Sequence, residues 1–269
     1  MLVLCPTPIG NLEDVTLRTL RELREADLVL CEDTRRTRVL LERHGIRARL
    51  VSLHAHNEAR RTAEVLPRLE AGARVAVVSD AGLPGVNDPG ARLLAAAIER
   101  GLDVTVLPGP SAVETALVAS GLVGERYTFL GYLPRSGAAL ERTWKEVADW
   151  TWPVVAFESP RRLPATLASL AAADPERPVA VCRELTKRFE EIVRGSAAEL
   201  AASFREPPRG EITLVVGSAA RPAEGGARDA EALGAVTELL AAGASRRAAA
   251  DVVARLSGVP RNRLYRDSL

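Results

Sequence analysis

Short apolar runs alternate with segments of helical spacing through the first hundred residues. The runs at 2–5, 28–31, 50–53, 74–79 and 104–107 are rich in Val and Leu. Continuous runs of this length fit strands buried on both faces. The segments between them, 15–23, 37–43, 57–69 and 91–100, have helical spacing; in the first, Val15, Leu20 and Leu23 are apolar. Asn57 stands where an N-cap is expected, and Gly101 stops the fourth helix. Strand–helix alternation of this kind implies right-handed crossovers and predicts an open, mostly parallel sheet.

After Pro108 the spacing changes. A helix at 111–119 precedes strands at 127–130, 154–157, 178–182, 189–193 and 212–216, with helices at 140–148, 164–172 and 197–203. So few helices among these strands predict a mixed sheet in a second α/β domain. The segment SAARPAEGGAR (218–228) has the composition of a linker. Helices at 230–240, 246–256 and 261–267 follow, the last two joined by Gly258-Val259-Pro260. The expected organisation is an N-terminal α/β domain over 1–110, a second α/β domain over 111–218, a linker over 219–229 and a helix-turn-helix-like module over 230–269.

Composition narrows the partners. The 269 residues are 47% hydrophobic and 26% charged, which excludes a wholly disordered chain. A formal net charge of +1 means that any nucleic-acid contact must come from local clusters. Almost every cation is Arg, Lys145 and Lys187 being the two lysines, so isolated Arg pairs carry little weight. Arg35, Arg36 and Arg38 lie together, as do Arg60 with Arg61 and Arg161 with Arg162. Residues 245–269 hold six Arg (246, 247, 255, 261, 263 and 266) against Asp251 and Asp267. That tail could grip phosphates or could equally be a solvated helical cap. Cys5, Cys31 and Cys182 are scattered, with no CxxC spacing for a zinc or redox pair. There is no apolar run of about 18 residues to span a membrane, and no signal precedes the first strand-like run. The expectation is a cytoplasmic protein with reduced thiols.

In an open parallel sheet, ligands bind beyond the carboxyl ends of the strands. Three such loops are unusual: 6–11 (PTPIGN), 79–90 (SDAGLPGVNDPG) and 108–112 (PGPSA). Pro stiffens them, and Gly lets their backbone approach a ligand. The third opens a helix whose N–H groups could hold a carboxylate or phosphate. Several chemistries fail at the motif level. There is no GxGxxG, no GxxxxGK[ST] and no HExxH. GPSAV (109–113) lacks the second Gly of a hydrolase elbow. His54 and His56 have no evident third ligand, so no metal site is expected.

The strings TPIGNLEDVTLRTL (7–20), CEDTRRTRVLL (31–41), HAHNE (54–58), SDAGLPGVNDPG and PGPSA together resemble the tetrapyrrole methylase superfamily. More narrowly they resemble its ribosomal branch, the 16S rRNA cytidine 2′-O-methyltransferases. ESPRRL (158–163) and RELTKRFEEIVRG (183–195) carry the resemblance onward, so that it covers about residues 3 to 217, and the terminal helices also resemble that branch. The sequence departs from the family pattern at Leu83-Pro84-Gly85-Val86, where a Thr is expected first, and this is expected to tune fit. The resemblance implies an S-adenosylmethionine-dependent methyltransferase of two α/β domains with the cofactor folded in the cleft between them, and homodimers. By motif, cofactor contacts would fall to Pro8, Ile9, Gly10, Asp80, Gly82, Val86, Asp88, Ser111 and Ala112. The second domain would add Phe157, Leu185, Gly210, Ile212 and Thr213. Asp80 and Asp88 could instead serve turns or a helix cap.

A ribose hydroxyl is a weak acid, so its methylation needs orientation and then proton removal. Candidate bases are Glu32, Asp33, Glu158, Glu184 and Lys187, with Glu158 and the Glu184–Lys187 pair preferred. Lys187 would need a lowered pKa to act so. Expected RNA contacts are Arg35, Arg36, Arg161, Arg162, Arg246, Arg247, Arg261 and Arg263, and the expected partner is 16S rRNA or the small ribosomal subunit. Two rivals stand beside this reading: methylation of a tetrapyrrole intermediate, and a nucleic-acid-binding protein without catalysis.

Overall fold

A computed structural model describes residues 1–219 and 226–268. It divides into two compact units. Met1–Ala148 with Trp152–Gly217 holds two five-stranded sheets, and Asp149–Thr151 with Ser218–Leu269 is a second unit whose elements, among the described residues, are helices.

The first sheet is built from β1 (Leu2–Leu4), α1 (Leu17–Glu25), β2 (Leu28–Cys31), α2 (Thr34–Arg43), β3 (Leu50–Ser52), α3 (Glu58–Glu70), β4 (Val75–Val78), α4 (Ala91–Glu99) and β5 (Val104–Val106). Its order is β3-β2-β4-β1-β5, with every pair parallel. The unbroken apolar runs follow from this. Leu2, Leu4, Leu28, Leu30, Val75 and Val77 pack on Leu66, Leu69 and Leu93 on one face. Val3, Val29, Cys31, Ala76 and Val78 pack on Leu23 and Leu41 on the other. Thr16 caps α1 and Asp33 caps α2 through their side chains. Asn57 does not cap α3: its side chain accepts from the His54 N–H at 2.8 Å and donates to the Ser52 carbonyl, bracing the turn instead.

The second sheet follows α5 (Ala112–Ser120). It comprises β6 (Thr128–Tyr132), α6 (Gly137–Val147), β7 (Val154–Glu158), α7 (Leu163–Ala173), β8 (Pro178–Arg183), β9 (Glu191–Ser196), α8 (Ala197–Ser203) and β10 (Ile212–Val216). The order is β6-β7-β10-β8-β9; β6 and β7 are parallel and the other pairs antiparallel, so the sheet is mixed. Two strands depart from the expected limits. β6 runs on to Tyr132 through an irregularity after Phe129, where Gly131 adopts φ +68°. β9 begins at Glu191 because Arg188 and Phe189 lie in a turn. Val113, Ala116 and Leu117 of α5 pack over Val155, Ala180 and Val215, and Ile9 from the loop after β1 joins that core.

The helical unit contains α9 (Gly226–Ala241), α10 (Arg246–Ser257) and α11 (Arg261–Asp267). Val236, Ala249, Ala250, Val253, Val259 and Leu264 form its core. Ser245 caps α10, and Gly258 ends it at φ +73°. Most of the linker expected at 219–229, namely 220–225, lies outside the described residues.

Candidate active site

The three unusual post-strand loops and the facing end of the second sheet enclose a cleft of about 930 Å³. That is within the range of roughly 300–1,000 Å³ typical of small-molecule sites. The loops hold one another. The Thr7 N–H donates to the Gly82 carbonyl and the Gly82 N–H donates back to the Thr7 carbonyl, both at 2.9 Å. The Thr7 hydroxyl donates to the Ser79 carbonyl at 3.0 Å. Gly82 lies at φ +76°, a conformation that glycine adopts without strain. A Cβ on Gly109 would fall 2.3 Å from Pro6 Cγ, so the third loop needs glycine to pack on the first.

Across the floor, Thr213 of β10 pairs with Phe157 of β7 on one side and Cys182 of β8 on the other. Phe129 and Tyr132 of β6 lean on the Phe157 ring with centroids 5.0 and 5.5 Å away. The result is an apolar, aromatic wall. At the opposite rim Ser111 precedes α5 without capping it through its side chain. Its hydroxyl and that of Tyr127 both donate to the Glu114 carboxylate. Burial would raise the Glu114 pKa, but those two hydrogen bonds outweigh it and hold the group below its ordinary value.

Of the expected cofactor residues, Ile9, Asp80, Gly82, Val86, Asp88, Ser111, Ala112, Phe157, Leu185, Gly210, Ile212 and Thr213 line the cleft. Pro8 and Gly10 do not. Gly10 faces a shallow recess with Asn11, Thr186, Lys187 and Arg188. Its role is close approach: a Cβ there would come within 2.8 Å of the Leu185 carbonyl.

The preferred catalytic groups fare differently. Glu158 lines the cleft, yet its side chain is fully buried. It accepts from the Ser159 N–H, from the Thr166 hydroxyl at 2.6 Å and from the Arg162 guanidinium. Glu184 and Lys187 lie outside the cleft lining. Glu184, at φ +52°, accepts from the Glu211 N–H and from Lys187 Nζ, both at 2.9 Å. These bonds, the backbone one foremost, lower its pKa. Gly210 makes room for that carboxylate, since a Cβ there would lie 2.4 Å from Glu184 Cγ. Burial would lower the Lys187 pKa, but the Glu184 and Glu211 carboxylates more than offset this and raise it. The geometry therefore corrects Lys187 from a base to a charged brace. Among the remaining candidates, Asp33 caps α2, and its N–H donates to Asp80 Oδ1 at 2.9 Å. Burial and the nearby Asp80 raise the Glu32 pKa.

Of the expected RNA-contacting arginines, Arg36 lines the cleft, 3.6 Å from Asp80. Arg35 is clamped on Asp33, and Arg161 is exposed. Arg162 leaves the RNA-facing set, because it donates to the Leu133 and Pro134 carbonyls as well as to Glu158. In the helical unit, Arg246 lies 6.0 Å from the Tyr265 ring and Arg261 pairs with Asp251. Arg247 and Arg263 are exposed. Sequence reasoning missed Phe129 and Tyr132, which also line the cleft, as does Asn87 between the expected Val86 and Asp88. A Gly inside the run TFLGY was the available signal for the two aromatic residues. Asn87 takes φ +59°, and its amide packs where a Gly131 side chain would sit.

Among the described residues no group of three His, Cys, Asp or Glu is placed to hold a metal ion, and no helix is long and apolar enough to cross a membrane. All three cysteines are buried and unpaired.

Residues 1–201 match the family model described as tetrapyrrole (corrin/porphyrin) methylases. A protein named ribosomal RNA small subunit methyltransferase I from Mycobacterium bovis is 46% identical over 98% of this chain and 93% of its own. A protein of the same name from Thermotoga maritima is 44% identical over 80% of this chain and 97% of its own. Among solved structures, the methyltransferase CobJ superposes with TM-score 0.63 at 21% identity, covering 81% of this chain and 94% of its own. A uroporphyrin-III C-methyl transferase from Thermus thermophilus, complexed with S-adenosyl homocysteine, gives TM-score 0.58 at 19% identity, over 80% of this chain and 96% of its own. At these identities the structural likeness establishes the fold alone.

Proposed function

Because the chain belongs to the tetrapyrrole (corrin/porphyrin) methylase family, we propose that it uses S-adenosylmethionine to methylate the ribose 2′-hydroxyl of a cytidine in 16S rRNA. The observation that carries this reading is the joined cleft together with near full-length likeness to proteins named as small-subunit rRNA methyltransferases.

The donor groups suit the cofactor. Phe129, Phe157, Ile9 and Leu185 make an apolar slot for a flat base. The first-turn N–H groups of α5, unoccupied by a Ser111 cap, suit a carboxylate. Backbone near Gly82 can come close to a ligand because no Cβ intervenes. When bound, the cofactor supplies an electrophilic methyl group on a cationic sulfonium, for which Asp80 and Asp88 provide matching negative charge. Orienting the acceptor hydroxyl for attack on the methyl group is the chain's larger contribution.

The helical unit favours RNA over a tetrapyrrole as substrate. It displays Arg247, Arg255 and Arg263 to solvent around its own core, which suits phosphate contacts and is unneeded for a small molecule. Action in the cytoplasm as a homodimer belongs to the same proposal.

The test is methyl transfer from labelled S-adenosylmethionine to small-subunit particles and to naked 16S rRNA, with nucleosides read by mass spectrometry. A methyl on a cytidine ribose supports the reading. No label on either, from protein that binds the cofactor, overturns it.

A further inference from the structure

The proposed reaction, on which this inference rests, requires the target nucleotide to leave its stack so that its ribose can enter the cleft. An unstacked base needs a new surface to lie on. Of the aromatic rings in the lining, Phe129 and Phe157 belong to the apolar slot, and Tyr127 is tied to Glu114 through its hydroxyl. Tyr132 differs. It lines the cleft at the end of β6 and is 66% exposed, and among the described residues its hydroxyl makes no hydrogen bond.

Simple strand alternation would turn Tyr132 away from Phe129, since the two are three residues apart. The pairing of β6 with β7 reverses this. Phe129 stands opposite Val155 and Tyr132 opposite Phe157, so three steps on one strand match two on the other. The extra residue is a bulge, a device that re-aims a side chain beside a site. It returns the Tyr132 ring to the face of Phe129 and Phe157. Gly131 permits the bulge at φ +68°, and Asn87 of the loop between β4 and α4 packs where a side chain would stand. The backbone beyond the ring is fixed as well. The Leu133 N–H donates to the Phe157 carbonyl at 3.2 Å, and the Leu133 carbonyl accepts from Arg162 at 2.9 Å. Arg162 is held in turn by the buried Glu158. The ring is thus set in place before any ligand arrives, with most of its surface open.

The charges that act on the Tyr132 hydroxyl are the carboxylates of Glu211, Asp88, Glu158 and Glu32. Such surroundings repel a phosphate. They suit a base with an exocyclic amine, and the amine of cytosine is one that carboxylates accept from.

We propose that Tyr132 is the stacking platform for the target cytosine, holding the unstacked nucleotide so that its ribose enters the cleft. Glu158 and Arg162 are positioning residues for that platform, acting through the backbone of Leu133.

Tyr132→Leu keeps an apolar side chain and removes the ring, whereas Tyr132→Phe keeps the ring. On an RNA that the unchanged protein methylates, kcat/KM should fall about 5–150-fold in Tyr132→Leu, the range that loss of one base–aromatic stack gives. Tyr132→Phe should recover most of that loss. The calorimetric Kd for S-adenosylhomocysteine should move less than about threefold in Tyr132→Leu, because the ring lies outside the cofactor slot. A second readout needs no turnover. An RNA with pyrrolocytosine at the target position, bound together with S-adenosylhomocysteine, should fluoresce more brightly on Tyr132→Leu than on the unchanged protein or on Tyr132→Phe, because stacking quenches it. Tyr132→Leu keeping kcat/KM within about threefold, or losing cofactor affinity in step with kcat/KM, overturns the assignment. So does Tyr132→Phe falling as far as Tyr132→Leu, or equal fluorescence in the three complexes. No methylation of any RNA by the unchanged protein overturns the proposed reaction, and the platform with it.

Discussion

Replacing Arg162 with alanine removes the one cation that, among the described residues, pairs with Glu158, a carboxylate whose side chain is 0% exposed. The Ser159 N–H and the Thr166 hydroxyl would remain, but the charge would have no counterion. The carbonyls of Leu133 and Pro134 would also lose their donor, at present 2.9 and 3.1 Å away. Breaking one side of a buried ion pair costs about 3–5 kcal/mol, because the stranded charge keeps its desolvation penalty. In a unit of this size each kcal/mol shifts melting by roughly 2–4 °C, so Arg162→Ala should melt about 6–20 °C lower. The loss should shrink to about 1–2 kcal/mol in a Glu158→Gln background, where hydrogen bonds are lost but no charge is stranded. Urea and thermal unfolding of the four proteins of this cycle measure both numbers. An Arg162→Ala protein that melts like the unchanged one and loses affinity for RNA would refute the reasoning and return Arg162 to the RNA-contacting set.

Gly210→Ala forces a Cβ to within 2.4 Å of Glu184 Cγ at a residue held at φ +98°. It should cost about 1–3 kcal/mol and weaken S-adenosylhomocysteine binding through the displaced cleft rim; unchanged melting in urea would contradict this. Arg247→Ala, at an exposed position of α10, should weaken RNA binding equally across sequences and reduce the log–log salt slope by about 1; an unchanged slope by fluorescence anisotropy would remove α10 from the interface.

The first sheet is legible in the sequence because strands buried on both faces leave unbroken apolar runs, as Val75–Val78 does. The site loops are legible because glycine and proline mark where the backbone is asked for something unusual. The limits of β6 and β9 are harder. Gly131 hides an irregularity, and Phe189, a residue of strong strand preference, is 66% exposed in a turn. The roles of individual charges are not legible, since they depend on tertiary partners. Asp88 looks like a helix cap until Glu58, thirty residues earlier, is seen to cap α4. Lys187 looks like a base until two carboxylates are found on its ammonium. Arg162 looks like one of a basic pair until the buried Glu158 appears beneath it.

The claim on which the rest depends is that the cleft between the two sheets holds the methyl donor. Calorimetric titration of the unchanged protein and of Ser111→Trp with S-adenosylhomocysteine tests it directly. Ser111 lines the cleft ahead of α5, so an indole there would fill the space and obstruct the helix's first-turn N–H groups. The account predicts binding by the unchanged protein and an affinity loss of more than about tenfold, or 1.4 kcal/mol, in the variant. Equal affinity in both, or no binding by the unchanged protein, would contradict it.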